Sequence, residues 1–229
     1  MTTISGATTL VGIIGWPVEH SLSPRMHNAA FAALGLDWAY VPLPTPPERV
    51  DEAIRGLVAL GFVGANVTAP HKHAAAALCG TVAPSVNTLI VRGDRVEGVS
   101  TDAAILSGLP AAGVVVLGDG GSASAFVHAL PGARQFARRG SWPPDPTGAD
   151  VVVNATSERD AVLVELTDAQ TLVDLPYPET ATALAARRSG ATVISGLEVL
   201  VAQGAASFEL WTGVAAPVEV MRDAVGLPA

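Results

Sequence analysis

Gly113-Val114-Val115-Val116-Leu117-Gly118-Asp119-Gly120-Gly121-Ser122 is the stretch that decides the fold. A β-branched run of this length reads as a fully buried strand, because branched side chains favour extended backbone and no polar residue interrupts them. Four residues of Gly and Asp then break the strand, and Ser122 to Leu130 carries the apolar spacing of a helix. Strand, tight glycine turn and helix form one βα unit. Its helix start can face an anion with backbone N–H groups and the positive end of the helix dipole. The spacing Gly118-x-Gly120-Gly121-x-x-x-Ala125 is near the dinucleotide fingerprint but not identical to it, and an empty βα turn accounts for it as well.

Outward from this unit the chain alternates short apolar runs with helical stretches, the layout of an α/β protein with largely parallel sheets. Upstream, strands are expected at 10–14, 38–43 and 63–67, with a helix opening at Ser23-Pro24 and closing at Gly35. Thr45-Pro46-Pro47-Glu48 reads as a capping box for a helix to Leu60, and a short helix follows Pro70. Residues 88–91 and 95–99 flank Gly93-Asp94 as a hairpin. Downstream, strands are expected at 133–137, 151–154, 171–175 and 192–194, and helices at 180–188 and 197–211. The proline-rich span 140–148 is a loop.

Composition narrows the function. The 229 residues carry a net charge of −8, which disfavours nucleic acid and anionic membrane as partners. One cysteine allows no internal disulfide, and no uncharged stretch escapes Gly, Pro or Asn long enough to span a bilayer. A cytoplasmic protein acting on a small molecule, as monomer or homodimer, is the expectation. Of 13 basic side chains only Lys72 is lysine, and asparagine occurs at 28, 66, 87 and 154 alone. Residues this rare in a composition this biased are candidates for positions where no substitute works; chance survival is the competing explanation.

Three places carry polar side chains suited to chemistry. After the glycine turn, the next strand ends in Arg138-Arg139, where a dinucleotide fold commonly has an acid for the ribose 2′-hydroxyl. Two cations there suit a 2′-phosphate, hence NADP, although a solvated arginine pair reads the same. Asn66-Val67-Thr68-Ala69-Pro70-His71-Lys72 ends a strand, where open α/β sheets present ligand groups. A lysine there, poised by a carboxylate, can pass a proton to a nascent alkoxide. Ser21-Leu22-Ser23-Pro24 offers two hydroxyls on one loop; Ser23 has a second use as a helix cap, Ser21 has none. His20, His71, His73 and Cys79 fit no metal pattern, so no metal is expected, and no G-x-S-x-G elbow indicates a hydrolase. His27 and Trp211 read as packing residues.

Taken in order, these blocks resemble the shikimate dehydrogenase family. The resemblance rests on Gly15 through Asn28, Asn66 through Lys72, Val86-Asn87-Thr88-Leu89, Thr101-Asp102 and Gly118 through Gly121. It continues through Asn154-Ala155-Thr156, Gly196-Leu197, Gln203-Gly204-Ala205 and Phe208 with Trp211-Thr212-Gly213, and so spans nearly the whole chain. It implies a two-domain α/β fold: an α/β substrate domain from residues 1–102 and 203–229, to which C-terminal helices return, and a Rossmann-like NADP domain from 103–202. The implied reaction is reversible NADPH-dependent reduction of 3-dehydroshikimate to shikimate, in aromatic amino-acid biosynthesis. By resemblance Lys72 and Asp102 are the catalytic pair, and Ser21, Ser23, Asn66, Thr68, Asn87 and Gln203 hold the substrate. Gly118, Gly120, Gly121, Ser122, Arg138, Arg139, Asn154, Ala155 and Thr156 would hold the cofactor. Quinate or aminoshikimate dehydrogenases share these motifs, and a non-catalytic shikimate-binding protein is the rival of a different class.

The chain also departs from the family pattern. It reads Ser100-Thr101-Asp102-Ala103 where Asn-Thr-Asp-Gly is usual, and Gly196-Leu197-Glu198 lacks the usual methionine. About a dozen residues separate the second and third strands of the cofactor domain, where the family places a helix. The cofactor domain is therefore expected to be trimmed.

Overall fold

The computed structural model describes residues 4–107, 109 and 113–228. Its contacts divide the chain into two compact units, 1–101 with 200–229, and 102–199. Asp102 was expected in the first unit and 200–202 in the second. The difference has a local cause, since Asp102 opens a 3-10 turn reaching Leu106 that packs on a helix of the second unit, whereas 200–202 lie within the long C-terminal helix.

The first unit holds β1 (Thr9–Gly15), α1 (Ser23–Ala33), β2 (Trp38–Pro44), α2 (Val50–Ala59), β3 (Phe62–Val67) and α3 (Lys72–Leu78). The hairpin β4 (Thr88–Arg92) and β5 (Arg95–Val99) follows. The sheet order is β2-β1-β3-β4-β5, with β1 parallel to both β2 and β3, and the last two pairings antiparallel. Ile14, Ile54, Leu57, Val67 and Leu89 are buried together under α2 and α3. Gly93, at φ +63°, closes the hairpin in the left-handed region that a two-residue turn requires.

Two local readings are corrected. No side-chain capping bond forms at the start of α1; instead the Ser21 hydroxyl accepts from the Ser23 backbone N–H at 3.3 Å, so Ser21 rather than Ser23 has the local structural use. The Thr45 capping box does not form either. Thr45 Oγ1 donates to the Leu43 carbonyl, and Pro47–Arg49 make a 3-10 turn before α2. With prolines at 46 and 47, the first amides a capping side chain could serve are missing or misdirected.

The second unit contains β6 (Val114–Leu117), α4 (Gly121–Ala129), β7 (Arg134–Phe136), β8 (Val151–Asn154), β9 (Thr171–Asp174), α5 (Ala181–Arg188) and β10 (Thr192–Ile194). Its sheet is wholly parallel in the order β10-β9-β8-β6-β7. β7 is one of the two edge strands, only three residues long, and the path from it to β8 contains no helix. The stretch between β8 and β9 is also irregular, yet Val164 and Leu166 from it are buried against Val115, Leu117 and Leu172. Apolar side chains on a loop thus cover sheet surface that a crossover helix normally covers.

The C-terminal α6 (Gly196–Thr212) begins in the second unit and ends in the first, and α7 (Val218–Val225) packs on α1. The returning C-terminal helices are those the family resemblance implies, although the residue pattern alone assigned only the first of them. Among the described residues no helix is long and apolar enough to cross a membrane.

Candidate functional site

In the first unit the chain order reverses between β1 and β3, the point at which an open α/β sheet leaves a crevice beyond its strand ends. The loops leaving these two strands are stitched together there. Trp16 N–H donates to the Ala69 carbonyl, Thr68 N–H donates to the Ile14 carbonyl, and a Cβ on Gly15 would collide with the Thr68 methyl. The Ser21–Ser23 loop and the Asn66–Lys72 loop therefore emerge side by side. Lys72 is half-buried at the first position of α3, and its carbonyl accepts from Val86 N–H at 3.0 Å.

Behind these loops lies a buried polar network. Asn66 Nδ2 faces three acceptors, the Asn87 carbonyl at 3.0 Å, Ser207 Oγ at 3.0 Å and Thr88 Oγ1 at 3.2 Å, while Tyr40 donates its hydroxyl to Asn66 Oδ1 at 2.8 Å. Asn87 Oδ1 accepts from Thr101 N–H at 2.7 Å, and its Nδ2 donates to Gln203 Oε1 at 3.1 Å and Thr101 Oγ1 at 2.9 Å. Thr88, Thr101 and Ser207 are all buried, and Ser207 Oγ donates to the Gln203 carbonyl at 2.9 Å. Sequence reasoning missed Tyr40 and Ser207. The only signal for Ser207 is its spacing of one helical turn from Gln203; Tyr40 carries none.

The network sorts the expected ligand residues by what they can still donate. Both Asn66 amide hydrogens are engaged within the protein. Gln203 gives one Nε2 hydrogen to the Leu200 carbonyl and retains the other. Among the described residues, the hydroxyls of Thr68 and Ser23 meet no protein partner, and Ser21 Oγ accepts without donating. Ser21, Ser23, Thr68 and Gln203 therefore keep hydrogens for an external acceptor, while Asn66 orients its neighbours.

In the second unit the order reverses at β6, between β7 and β8. Gly118 has φ +117°, and a Cβ there would stand 2.9 Å from the Ala155 carbonyl oxygen, so only glycine lets the 118–121 turn lie against 154–156. Gly120 precedes α4 with no side-chain capping bond, and among the described residues a Cβ at 120 would meet nothing within 4 Å. Open space in front of a helix start, with Gly121 and Ser122 in its first turn, suits a pyrophosphate. Asn154 is fully buried: its Nδ2 donates to Asp174 Oδ1 at 2.7 Å, and its Oδ1 accepts from Thr156 N–H and Oγ1. It shapes the 154–156 turn from beneath. Burial raises the Asp174 carboxyl above the usual range, opposed by hydrogen bonds from Asn154 and Thr180.

Arg138 and Arg139 stand exposed after β7. Arg138 is not alone. Its Nη2 donates to Glu158 Oε2 at 2.8 Å and its guanidinium lies 5.9 Å from the Trp142 ring centre. The residues present thus fit an NADP-type dinucleotide, with one acid that the sequence reading had not placed there.

Comparison with known proteins adds the following. The sequence model described as the shikimate dehydrogenase substrate binding domain matches residues 13–89, and the shikimate 5′-dehydrogenase C-terminal domain matches 196–225. Shikimate dehydrogenase (NADP(+)) of Anaeromyxobacter dehalogenans strain 2CP-1 is 42% identical, covering 97% of each chain. That alignment runs over 270 positions, more than the 229 residues here, so the relative carries segments this chain lacks. A crystal structure of shikimate dehydrogenase in complex with NADP+ superimposes with a TM-score of 0.86 at 30% identity, over 98% of this chain and 96% of that one. The Thermus thermophilus shikimate 5-dehydrogenase in complex with NADP(H) and shikimate gives 0.81 at 29%, over 95% and 98%.

Proposed function

Since the chain belongs to the shikimate dehydrogenase family, we propose that it catalyses reversible NADPH-dependent reduction of 3-dehydroshikimate to shikimate. The observation that carries this reading is the sorted donor set of Ser21, Ser23, Thr68 and Gln203, with the chain's one lysine opening α3 four residues after Thr68. Ser21 and Ser23 donate hydroxyls to the substrate carboxylate, an acceptor-only group that matches two free O–H donors. Thr68 and Gln203 donate to ring oxygens, and Asn87 holds the Gln203 amide in the orientation that aims its free hydrogen outward. Asn66 is a positioning residue in this scheme, with Tyr40, Thr88, Thr101 and Ser207 fixing it and Asn87.

Lys72 Nζ gives a proton to the oxygen of the carbonyl as it becomes an alcohol, and takes it back in the reverse direction. Asp102 is the carboxylate assigned to orient and tune that ammonium. NADP(H), when bound, supplies or accepts the hydride; Gly118, Gly120, Gly121 and Ser122 would hold its pyrophosphate, Arg138 and Arg139 its 2′-phosphate, with Asn154, Ala155 and Thr156 lining the turn beside them. Residues 103–202 are assigned to the cofactor and 1–102 with 203–229 to the substrate.

The test is reduced-nicotinamide formation from shikimate with NADP+ and NAD+ in parallel, on the wild type and on Lys72→Ala. The wild type is expected to turn over with NADP+ in preference to NAD+. Lys72→Ala should lose about 10²–10⁴-fold in kcat, the usual worth of one acid–base group, with shikimate affinity changed by only a few-fold. Normal turnover by Lys72→Ala would remove it from the proton transfer. No turnover by folded wild type that still binds shikimate would favour the binding-protein reading.

A further inference from the structure

Glu158 stands where the geometry gives it a say in which nucleotide binds. It lies two residues beyond Thr156, and its N–H donates to Thr156 Oγ1 at 3.2 Å, which in turn donates to buried Asn154 Oδ1 at 2.8 Å. Its Oε1 accepts from the backbone N–H groups of Arg159 and Asp160, each at 3.2 Å, and Oε2 accepts from Arg138 Nη2. The carboxylate is thus a fixed post tied to the end of β8. Arg138, from the end of β7, is the more exposed partner, with 62% of its side chain exposed against 26% for Glu158. The guanidinium carbon lies over the Trp142 ring, 5.9 Å from its centre, and among the described residues Arg138 Nε and Nη1 meet no acceptor.

We propose that Glu158 sets how strongly this site selects a nucleotide phosphorylated at the ribose 2′ position, by holding Arg138 in an ion pair that the phosphate must share or displace. The inference rests on the reading of Arg138 and Arg139 as the 2′-phosphate site. With Glu158 ionised, two guanidinium charges are offset by one carboxylate, so the dianion meets half the positive charge the arginine pair alone would present. The hydrogen bond from Arg138 holds the Glu158 carboxyl below the usual range, with backbone hydrogen bonds helping, so it is an anion at neutral pH. A nucleotide with a free 2′-hydroxyl loses nothing to this arrangement. Glu158 therefore acts on the difference between the two cofactors, not on dinucleotide binding in general.

The experiment is calorimetric binding of adenosine 2′,5′-bisphosphate and of 5′-AMP to wild type, Glu158→Gln and Arg138→Ala, at low and high ionic strength. Glu158→Gln is expected to tighten the bisphosphate by about tenfold at low salt, with 5′-AMP changed by less than about twofold. The gain should shrink at high salt, because an exposed charge is screened. An unchanged ratio between the two nucleotides overturns the proposal. So does weaker bisphosphate binding by Glu158→Gln, which would make the carboxylate a support for Arg138. The underlying reading fails separately, if Arg138→Ala discriminates between the nucleotides as the wild type does.

Discussion

His27 is the residue whose surroundings the sequence conceals most. It is wholly buried, stacked on Tyr40 with ring centres 4.5 Å apart and planes 4° off parallel, with Phe31, Phe208 and Trp211 around it. Among the described residues neither ring nitrogen has a hydrogen-bond partner. Burial lowers its pKa from 6.5 to about 3, so the folded protein keeps the imidazole neutral while the unfolded chain protonates it below pH 6.5. The unfolded state then binds more protons, and stability falls as pH drops from 6.5 toward 3, by about 1.4 kcal/mol per pH unit from this group alone. Replacing it with Phe should flatten that slope, read as urea midpoints between pH 7 and 4. An unchanged slope would place the acid sensitivity elsewhere. The four asparagines are more legible. Asn28 both donates to and accepts from the Tyr40 backbone at 2.9 Å, and Asn66, Asn87 and Asn154 each join a donor and an acceptor in a buried network. An amide places its donor and its acceptor on two separate atoms, so one short side chain can serve two partners in different directions, and each of the four asparagines is used in that way.

At the scale of elements, the docking of α6 on the first sheet turns on Gly64 in β3. A Cβ at 64 would overlap the Trp211 indole and the Leu89 carbonyl oxygen, and the indole N–H donates to that same oxygen at 2.9 Å. Gly64→Ala is expected to destabilise the protein by about 1–3 kcal/mol, since strand backbone and an indole held by its own hydrogen bond cannot give way cheaply. A urea titration measures it, and a neutral result would mean α6 can shift without cost. Its effect should extend to shikimate affinity, because Gln203 and Ser207 lie on the same helix. Element identity was readable because β-branched runs and Gly or Pro breaks mark strands and turns locally. The caps were not: whether Ser21, Ser23 or Thr45 serves a helix end depends on where the chain arrives from, and the prolines at 46 and 47 redirected that end. α7 had a legible start, Pro217 ahead of Val218–Val225, of the same kind as those read at Ser23-Pro24 and after Pro70, but only the family resemblance placed C-terminal helices there.

For the whole molecule, the two units have separate sheets and separate candidate sites, and each ligand should protect its own. Shikimate is expected to slow amide exchange at 15–23, 64–72 and 200–207, and NADP+ at 117–124, 136–140 and 154–158. At a hundred times Kd, either ligand adds about 2.7 kcal/mol to the states it binds. Hydrogen-exchange mass spectrometry reads both patterns, and protection of 117–124 by shikimate without nucleotide would reverse the assignment of sites. The trimmed cofactor unit was visible as a short interval rich in proline. The means by which the remaining sheet stays covered was not, since Val164 and Leu166 come from a segment with no periodic pattern.

The sequence by itself determined the alternation of strands and helices, the two strand-end motifs, the glycine turn and the family, because each is written in residues close along the chain. Tertiary structure decided which polar groups are engaged and which remain open. Asn66 and Ser207 are 141 positions apart, Asn87 and Gln203 are 116, and Arg138 and Glu158 are 20. Hydrogen-bond capacity is a property of the partners that folding brings within about 3 Å, and no local pattern records those partners.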